Sequence, residues 1–239
     1  MKRAKKKSQD MLWLAEKIVD AYNEYGFISA VIFGKQGSGK TTYAFKTMRD
    51  VFYKLYNLST KDEAWEYVKK YYFFELPEAL EVIYNAFENN ERIPVILFDD
   101  AGIWLSKYQW YEKYMILFYK LYALIRTRVS AVIFTSPSPD DIALFLREKG
   151  WIQIRIKWSN KKHRIAEADL YKKVFDRDSK GNIITRAEYT ALDQFKVQLP
   201  DDFFNEYLTK RRETERKLLE ELRQILATFR ENKAVSQSS

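Results

Sequence analysis

Residues 34 to 41 read Gly-Lys-Gln-Gly-Ser-Gly-Lys-Thr and satisfy the pattern G-x-x-x-x-G-K-[ST] at every specified position. The chemistry this spacing permits is the grip of a polyphosphate. Glycines reach backbone angles that turn successive N–H groups inward around an anion, and a helix starting there adds the positive end of its dipole. Gly34, Lys35, Gln36, Gly37, Ser38, Gly39, Lys40, Thr41 and Thr42 are therefore the expected nucleotide-binding residues. Within that set Lys40 is expected to reach the β- and γ-phosphates, and the Thr41 hydroxyl to ligate Mg²⁺. Three of the chain's seven glycines lie between positions 34 and 39, which argues against a chance match.

Such a loop works only between a buried strand and a helix, and the flanking sequence predicts both. Phe27 to Phe33 is an Ile-, Val- and Phe-rich run ending at Gly34, the pattern of a strand covered on both faces. Beyond Lys40, the positions Ala44, Met48, Val51, Phe52 and Leu55 follow a helical period. Before the strand, Met11, Leu14, Ile18 and Tyr22 predict a helix over about 10–24, with Ser8 or Asp10 as N-cap and Gly26 as its stop. After the second helix, Thr60 and Glu63 form a capping box. Tyr71 to Phe74 is an expected strand, and Pro77 opens a helix with Leu80, Ile83, Tyr84 and Phe87 on one face.

A second group of reactive residues sits at strand ends. Val95 to Phe98 is wholly apolar and runs into Asp99 and Asp100, while Ala131 to Phe134 runs into Thr135 and Ser136. A carboxylate at the end of a buried strand, downstream of a phosphate loop, is placed to hold Mg²⁺ through a water, so Asp99 joins Thr41 as an expected metal residue. Asp100 sits where additional-strand P-loop ATPases usually carry a catalytic Glu, a likeness that implies it is the base on an attacking water. Residues 108–127 are apolar nearly all round and predict a helix packed inside the domain. Arg126 and Arg128 follow it, and either is an arginine finger reaching a neighbouring subunit's nucleotide or a solvated helix end. Ser138, Pro139 and Asp141 start a further helix that stops at Gly150.

Taken together, the glycine loop, the strand with two acids, the arginine-bearing helix and the run Ala131-Val132-Ile133-Phe134-Thr135-Ser136-Pro137-Ser138-Pro139-Asp140-Asp141-Ile142 resemble the HerA/FtsK-type motor ATPases of the additional-strand P-loop class. The resemblance covers about residues 27 to 157. It departs at Asp100, where those proteins usually carry Glu, and at Ser136, where they carry Gln. The resemblance implies a three-layer α/β/α P-loop NTPase with a mostly parallel sheet, the additional strand lying between the Walker A and Walker B strands. It implies that Thr135, at the end of that added strand, is a γ-phosphate sensor. It also implies ATP and Mg²⁺ as cofactors, ring-like homo-oligomers, DNA as the moved partner, and a further protein that recruits the motor. The composition suggests the small ATPases of archaeal viruses and plasmids.

Past Gly150 the pattern changes. Ile152, Ile154, Ile156 and Trp158 alternate with Gln153, Arg155 and Lys157, and Ala166, Ala168 and Leu170 alternate with Glu167 and Asp169. A five-residue loop, Ser159 to His163, predicts an antiparallel edge hairpin with Trp158 opposite Arg164 and Arg155 opposite Glu167. Its cations, Arg155, Lys157, Lys161, Lys162, His163 and Arg164, together with Trp151 and Trp158, are either a nucleic-acid contact or solvated loop residues. Asp176 to Asn182 reads as a turn that imitates a calcium loop without completing it, because position twelve is Ala187. A loose segment leads to Pro200, and Phe203 to Phe229 reads as one or two helices whose stripe, Leu218, Leu222, Ile225 and Phe229, favours docking on the domain over self-association. The expected organisation is a basic tail and first helix (1–26), an ATPase domain (27–175) and a helical extension (176–239).

Composition removes most other chemistries. The 239 residues contain no cysteine and a single histidine, His163, which excludes disulfides, thiolate metal sites and multi-histidine metal sites and leaves that one residue for any Ser/His/Asp triad. The most apolar segment, Tyr108 to Ile125, is cut by Glu112, Lys113 and Lys120, so no membrane span is expected. No secretory signal is visible either, and the expected location is the cytoplasm. Lys2, Arg3, Lys5, Lys6 and Lys7 supply five of the eight net positive charges, as a frayed terminus or a phosphate-contacting arm. Trp104, Tyr108, Trp110 and Tyr111 read as core or subunit contacts rather than base-stacking groups. The function expected is Mg-dependent ATP hydrolysis driving DNA translocation or packaging. The alternatives are a replication-initiation or helicase-loading ATPase, a small-molecule or nucleoside kinase, and a nucleotide-gated binding protein with little turnover.

Overall fold

The structure, a computed structural model, describes residues 10–105 and 113–237. The basic tail, Ser8, and the side chains of Trp104, Tyr108, Trp110 and Tyr111 lie outside the described residues. By contacts the chain divides into two compact units, Met1–Gln198 and Leu199–Ser239.

The first unit is a mixed α/β layer structure whose elements follow the expected alternation. In chain order these are α1 (Trp13–Asn23), β1 (Ile28–Phe33), α2 (Lys40–Leu55), α3 (Ala64–Lys70), β2 (Tyr72–Phe73), α4 (Leu76–Glu88) and β3 (Ile96–Phe98). There follow α5 (Ala101–Trp104), α6 (Lys113–Leu124), β4 (Ala131–Ser136), α7 (Leu144–Glu148), β5 (Ile152–Asn160), β6 (Ile165–Arg177) and β7 (Ile183–Lys196). The sheet has the order β2-β3-β4-β1-β5-β6-β7. Its strands are parallel from β2 through β5, and β6 and β7 continue it antiparallel. The strand ending at Thr135 thus lies between the one feeding the glycine loop and the one ending at Asp99.

Burial explains why the parallel strands read as unbroken apolar runs. On one face Val31, Phe98, Val132 and Phe134 meet Ile83 of α4, Phe118 and Tyr122 of α6 and Leu146 of α7 in one core cluster. The Phe98 and Phe134 rings are stacked at 5.6 Å. On the other face Ala30 and Ile32 are fully buried on the side of α1 and α2.

Several local expectations change. α1 begins at Trp13 with Leu12 as N-cap, and since leucine offers no acceptor, carboxylates distant in sequence serve its first amides, Asp50 Oδ2 that of Leu12 (3.3 Å) and Asp193 Oδ2 that of Trp13 (3.0 Å). The buried face of α4 is Leu76, Ala79, Ile83 and Ala86, which leaves Tyr84 and Phe87 exposed. α6 is not enclosed: Met115, Phe118 and Tyr122 are buried, whereas Ile116, Leu117 and Leu121 face out. In the β5–β6 hairpin a register shift near Ser159 places Trp158 opposite Ala166 and Arg155 opposite Asp169. The expected partners are two residues off, and the even step preserves which face each side chain occupies. The segment expected to be loose after Asn182 is β7, paired with β6 along its full length.

The turn expected over Asp176 to Asn182 is shorter, because β6 runs through Arg177 and leaves only residues 178–182 to turn. Asp178 Oδ1 accepts from the amides of Lys180 (2.8 Å) and Asn182 (2.9 Å), and Gly181 supplies a φ of 84°. The second unit is a single helix, α8 (Asp201–Gln237), of 37 residues and about 55 Å. It exposes Leu219, Leu222, Ile225 and Phe229 and carries i,i+4 pairs such as Arg211–Glu215. Among the described residues no helix is long and apolar enough to cross a membrane.

Candidate functional site

The loop between β1 and α2 is shaped by its glycines. Gly34, Gly37 and Gly39 have φ of 149°, 70° and 100°, in the region L side chains avoid. Gly34 has a second reason to lack a side chain, since a Cβ there would stand 2.4 Å from the carbonyl oxygen of Ile156 on β5. The loop is tied back by Gly34 N–H donating to Pro137 O (3.3 Å) and Ser38 N–H donating to Lys35 O (3.2 Å). The helical ladder opens only with Tyr43 N–H donating to Gly39 O at 2.9 Å. The amides of Thr41 and Thr42 therefore precede that ladder at the positive end of the helix, which favours an anion.

Lys40 is 7% exposed and donates its ammonium hydrogens to Gly34 O (3.1 Å) and Lys35 O (3.2 Å), so its charge lies over the loop. The Ser38 hydroxyl is buried in the same loop with no hydrogen-bond partner. A buried orphan hydroxyl beside a buried ammonium and two helix-start amides is a donor set suited to phosphate oxygens.

Three oxygens from three elements converge beside it. Asp99, fully buried, accepts at Oδ1 from Thr41 Oγ1 (2.9 Å) and from Thr135 Oγ1 (2.6 Å). Thr135 in turn accepts from the Asp100 amide at 2.9 Å. The register places them there: β3 and β4 are parallel with Phe98 opposite Phe134, and β1 and β4 are parallel with Phe33 opposite Ser136. The strand ends therefore deliver Asp99, Thr135 and the loop to one edge. A hydroxyl and a carboxylate are hard oxygen donors of the kind Mg²⁺ takes, usually completed by waters and substrate phosphates. Among the described residues no cluster of three His, Cys, Asp or Glu forms a metal site from protein ligands alone.

Asp100 is half-buried and adopts φ 51°, ψ 40° at the start of α5. Left-handed backbone is tolerated by Asp far better than by longer side chains, so the short acid suits this position. Ser136 is fully buried with its hydroxyl unpartnered, close to Gly102, where a Cβ would stand 2.8 Å from it.

Arg126 and Arg128 are not brought to this edge. They precede β4, so they lie at the end of the parallel sheet opposite the loop, with about 16 Å of strand between. Arg126 is exposed, whereas Arg128 donates to Asn90 Oδ1 (2.7 Å) and lies 5.1 Å over the Phe87 ring. The hairpin cations divide as well. Arg155 and Lys157 are paired with Asp169 at 3.1 and 3.0 Å, while residues 161–163 are exposed at the loop end of the sheet.

Residues that the sequence did not signal complete the surroundings. Asp193 of β7, 4% exposed, accepts from Tyr43 Oη (2.6 Å) and from the Trp13 amide (3.0 Å). Val197 approaches within 2.9 Å of where a Gly39 Cβ would stand. The only signal for Asp193 is a lone acid in an otherwise neutral stretch, Ala191 to Phe195, which by itself reads as surface.

Fold and site together define a mixed α/β protein organised around a P-loop motif, with the strand-end carboxylate and threonine gathered beside it. The chain belongs to the family of protein B-251 of Sulfolobus spindle-shape virus 1, to which it is 45% identical over 223 residues, covering 92% of this chain and 88% of that protein. It is also similar to ORF286 of Acidianus two-tailed virus, 26% identical over 165 residues, covering 66% of this chain and about half (54%) of that protein's length. Both relatives are viral, in keeping with what the composition suggests. No protein-family model matches the chain. The N-terminal domain of zonular occludens toxin from Neisseria meningitidis aligns in structure over 75% of this chain and 97% of its own, at 14% identity and a TM-score of 0.37.

Proposed function

We propose that this protein binds ATP with Mg²⁺ at residues 34–42 and hydrolyses it, using the cycle to handle viral DNA, with translocation or packaging as the leading job. The observation that carries the reading is the convergence of Thr41, Asp99 and Thr135 oxygens within hydrogen-bond distance beside a buried Lys40. In this reading Lys40, Ser38 and the first amides of α2 hold the phosphates. Thr41 and Asp99 hold Mg²⁺, which when bound neutralises charge on the phosphates. Asp100 accepts the proton of the attacking water, and Thr135 acts as a positioning residue whose hydroxyl hydrogen fixes the Asp99 carboxylate and reaches the terminal phosphate as a sensor only by leaving that bond.

The distance of Arg126 from its own loop supports a role only in trans, on the site of a second copy in a homo-oligomer, and this is part of the proposal. The short side chain of Asp100 favours a second reading, a nucleotide-gated switch with slow turnover, because its carboxylate reaches about an ångström less far than that of Glu.

Titration calorimetry with ATP and Mg²⁺, paired with phosphate release, tests both readings. Wild type is expected to bind and release phosphate, and Lys40→Ala to lose both. Binding without release selects the switch, and no heat from any purine triphosphate overturns the proposal.

A further inference from the structure

The antiparallel part of the sheet is covered on one face only. Ala166, Ala168 and Leu170 are buried on the side where Lys172 lies 5.3 Å over the Trp13 ring. The alternate residues of β6 and β7 turn the other way, where Asp169 is buried beneath Arg155 and Lys157 and the face opens to solvent beyond it. The two strands also continue past β5, whose Ile152 pairs with Lys172, so that residues 173–177 and 183–187 form a two-stranded ribbon.

This open face is aromatic. Trp151 stands edge-on to Phe175 at 5.1 Å and Tyr171 edge-on to Tyr189 at 5.7 Å, so the rings hold one another in place. They remain accessible: Phe175 is 68% exposed, Tyr189 43% and Trp151 42%, with Ile183 at 68% beyond them. Folding gives no reason to display such side chains together on a ribbon.

The ribbon's own charges on this face, Lys173 and Arg177, have one sign, with Glu148 of α7 as the acid that acts on Lys173. Lys173 donates to the carbonyls of Arg147 (2.6 Å) and Glu148 (3.3 Å), and Arg177 donates to that of Gly181 (2.9 Å), so both cations are held by main-chain oxygens. The ribbon's acids, Asp176 and Glu188, belong to the opposite face, where Asp176 pairs with Arg186 at 3.0 Å. Asp178, in the turn, directs its carboxylate to the amides of Lys180 and Asn182. Asp169, further along the open face, is already paired with Arg155 and Lys157.

Fixed, accessible rings interleaved with cations complement a chain that offers both base faces and phosphates. We propose that this face of β6 and β7, with Trp151, binds single-stranded nucleic acid, the rings stacking on bases and Lys173 and Arg177 meeting the backbone. A duplex hides its base faces, and an apolar protein partner leaves the cations without a role. The inference deepens the genome-handling reading by naming strand and surface, and it rests on that reading for its biological purpose alone.

The test is fluorescence anisotropy of a labelled 20-mer of deoxythymidine across a salt series. Wild type is expected to bind it in preference to a duplex of the same length. Phe175→Ala is expected to weaken binding roughly fivefold or more, with Phe175→Tyr restoring it, and Arg177→Gln to flatten the salt slope by about 0.7. Circular dichroism of each variant checks the fold, which an exposed ring hardly supports. Unchanged affinity in folded Phe175→Ala, or a preference for duplex, overturns the proposal. Loss of the 20-mer in Phe175→Ala while wild type gives no calorimetric response to ATP sinks the nucleotide reading and leaves this one standing.

Discussion

Tyr43 donates its phenolic hydrogen to Asp193 across 2.6 Å, joining the phosphate-loop helix to the outermost strand of the sheet. Asp193 also caps the start of α1 through the Trp13 amide, so one carboxylate ties together three elements distant in sequence. Burial raises the Asp193 carboxyl above its ordinary range against the opposing pull of its Tyr43 and Trp13 hydrogen bonds, and burial together with the Asp193 charge raises the Tyr43 hydroxyl well above its own, so Tyr43 stays a donor. Tyr43→Phe is expected to lower unfolding stability by about 1–3 kcal/mol, because it strips a partner from a buried acid without opening a cavity. A urea midpoint equal to wild type would show that the bond does not support the fold.

Thr135 holds Asp99 by donating to it and is itself held by the Asp100 amide, so its hydroxyl has a direction before any ligand arrives. Thr135→Val keeps the shape and removes the donor. Mg-dependent ATP affinity is expected to fall roughly tenfold, as for other outer partners of metal ligands, while affinity without Mg²⁺ changes little and Thr135→Ser restores the wild-type value. Calorimetry with and without Mg²⁺ separates this from a general loss of folding, which lowers both affinities together.

The backbone at Asp100 makes a different forecast. A residue at φ 51° accepts Asp or Asn readily and longer side chains with strain of about 1 kcal/mol. Asp100→Asn is expected to melt within a degree or two of wild type and to lose phosphate release a hundredfold. Asp100→Glu is expected to melt several degrees lower. Release that survives Asp100→Asn removes that residue as the base, and equal melting of the Glu variant removes the strain argument.

Much of this site was readable because its chemistry sits on strands buried on both faces. An unbroken apolar run leaves the first polar residue at its end conspicuous, as with Asp99 and Thr135, and a glycine loop announces its own backbone. β7 was hidden for the opposite reason: its first half, Ile183 to Tyr189, is exposed on both faces or nearly so, and has no alternation to read. Asp193 was hidden with it, since burial of a lone acid depends on Tyr43 and Trp13, far away in the chain. The apolar circumference of α6 misled for a related reason, because side-chain type reports what a face tolerates and not whether anything covers it.

Lys46, in the same helix as Lys40, gives the fold a pH signature of known sign. Burial, helped by the nearby Arg49 and opposed by Asp50, pushes its ammonium down to about 8. The unfolded chain keeps that proton to about 10.4. Between these values the unfolded state binds more protons than the folded one, so stability attributable to Lys46 rises with pH across this window. Below pH 8 both states are charged and the folded one bears the cost of a desolvated ammonium. Lys46→Met is therefore expected to exceed wild type in urea stability at pH 7, with the advantage shrinking steadily by pH 10. Parallel stability profiles for the two proteins from pH 7 to 10 would show that Lys46 is solvated well enough to titrate as it does in the unfolded chain.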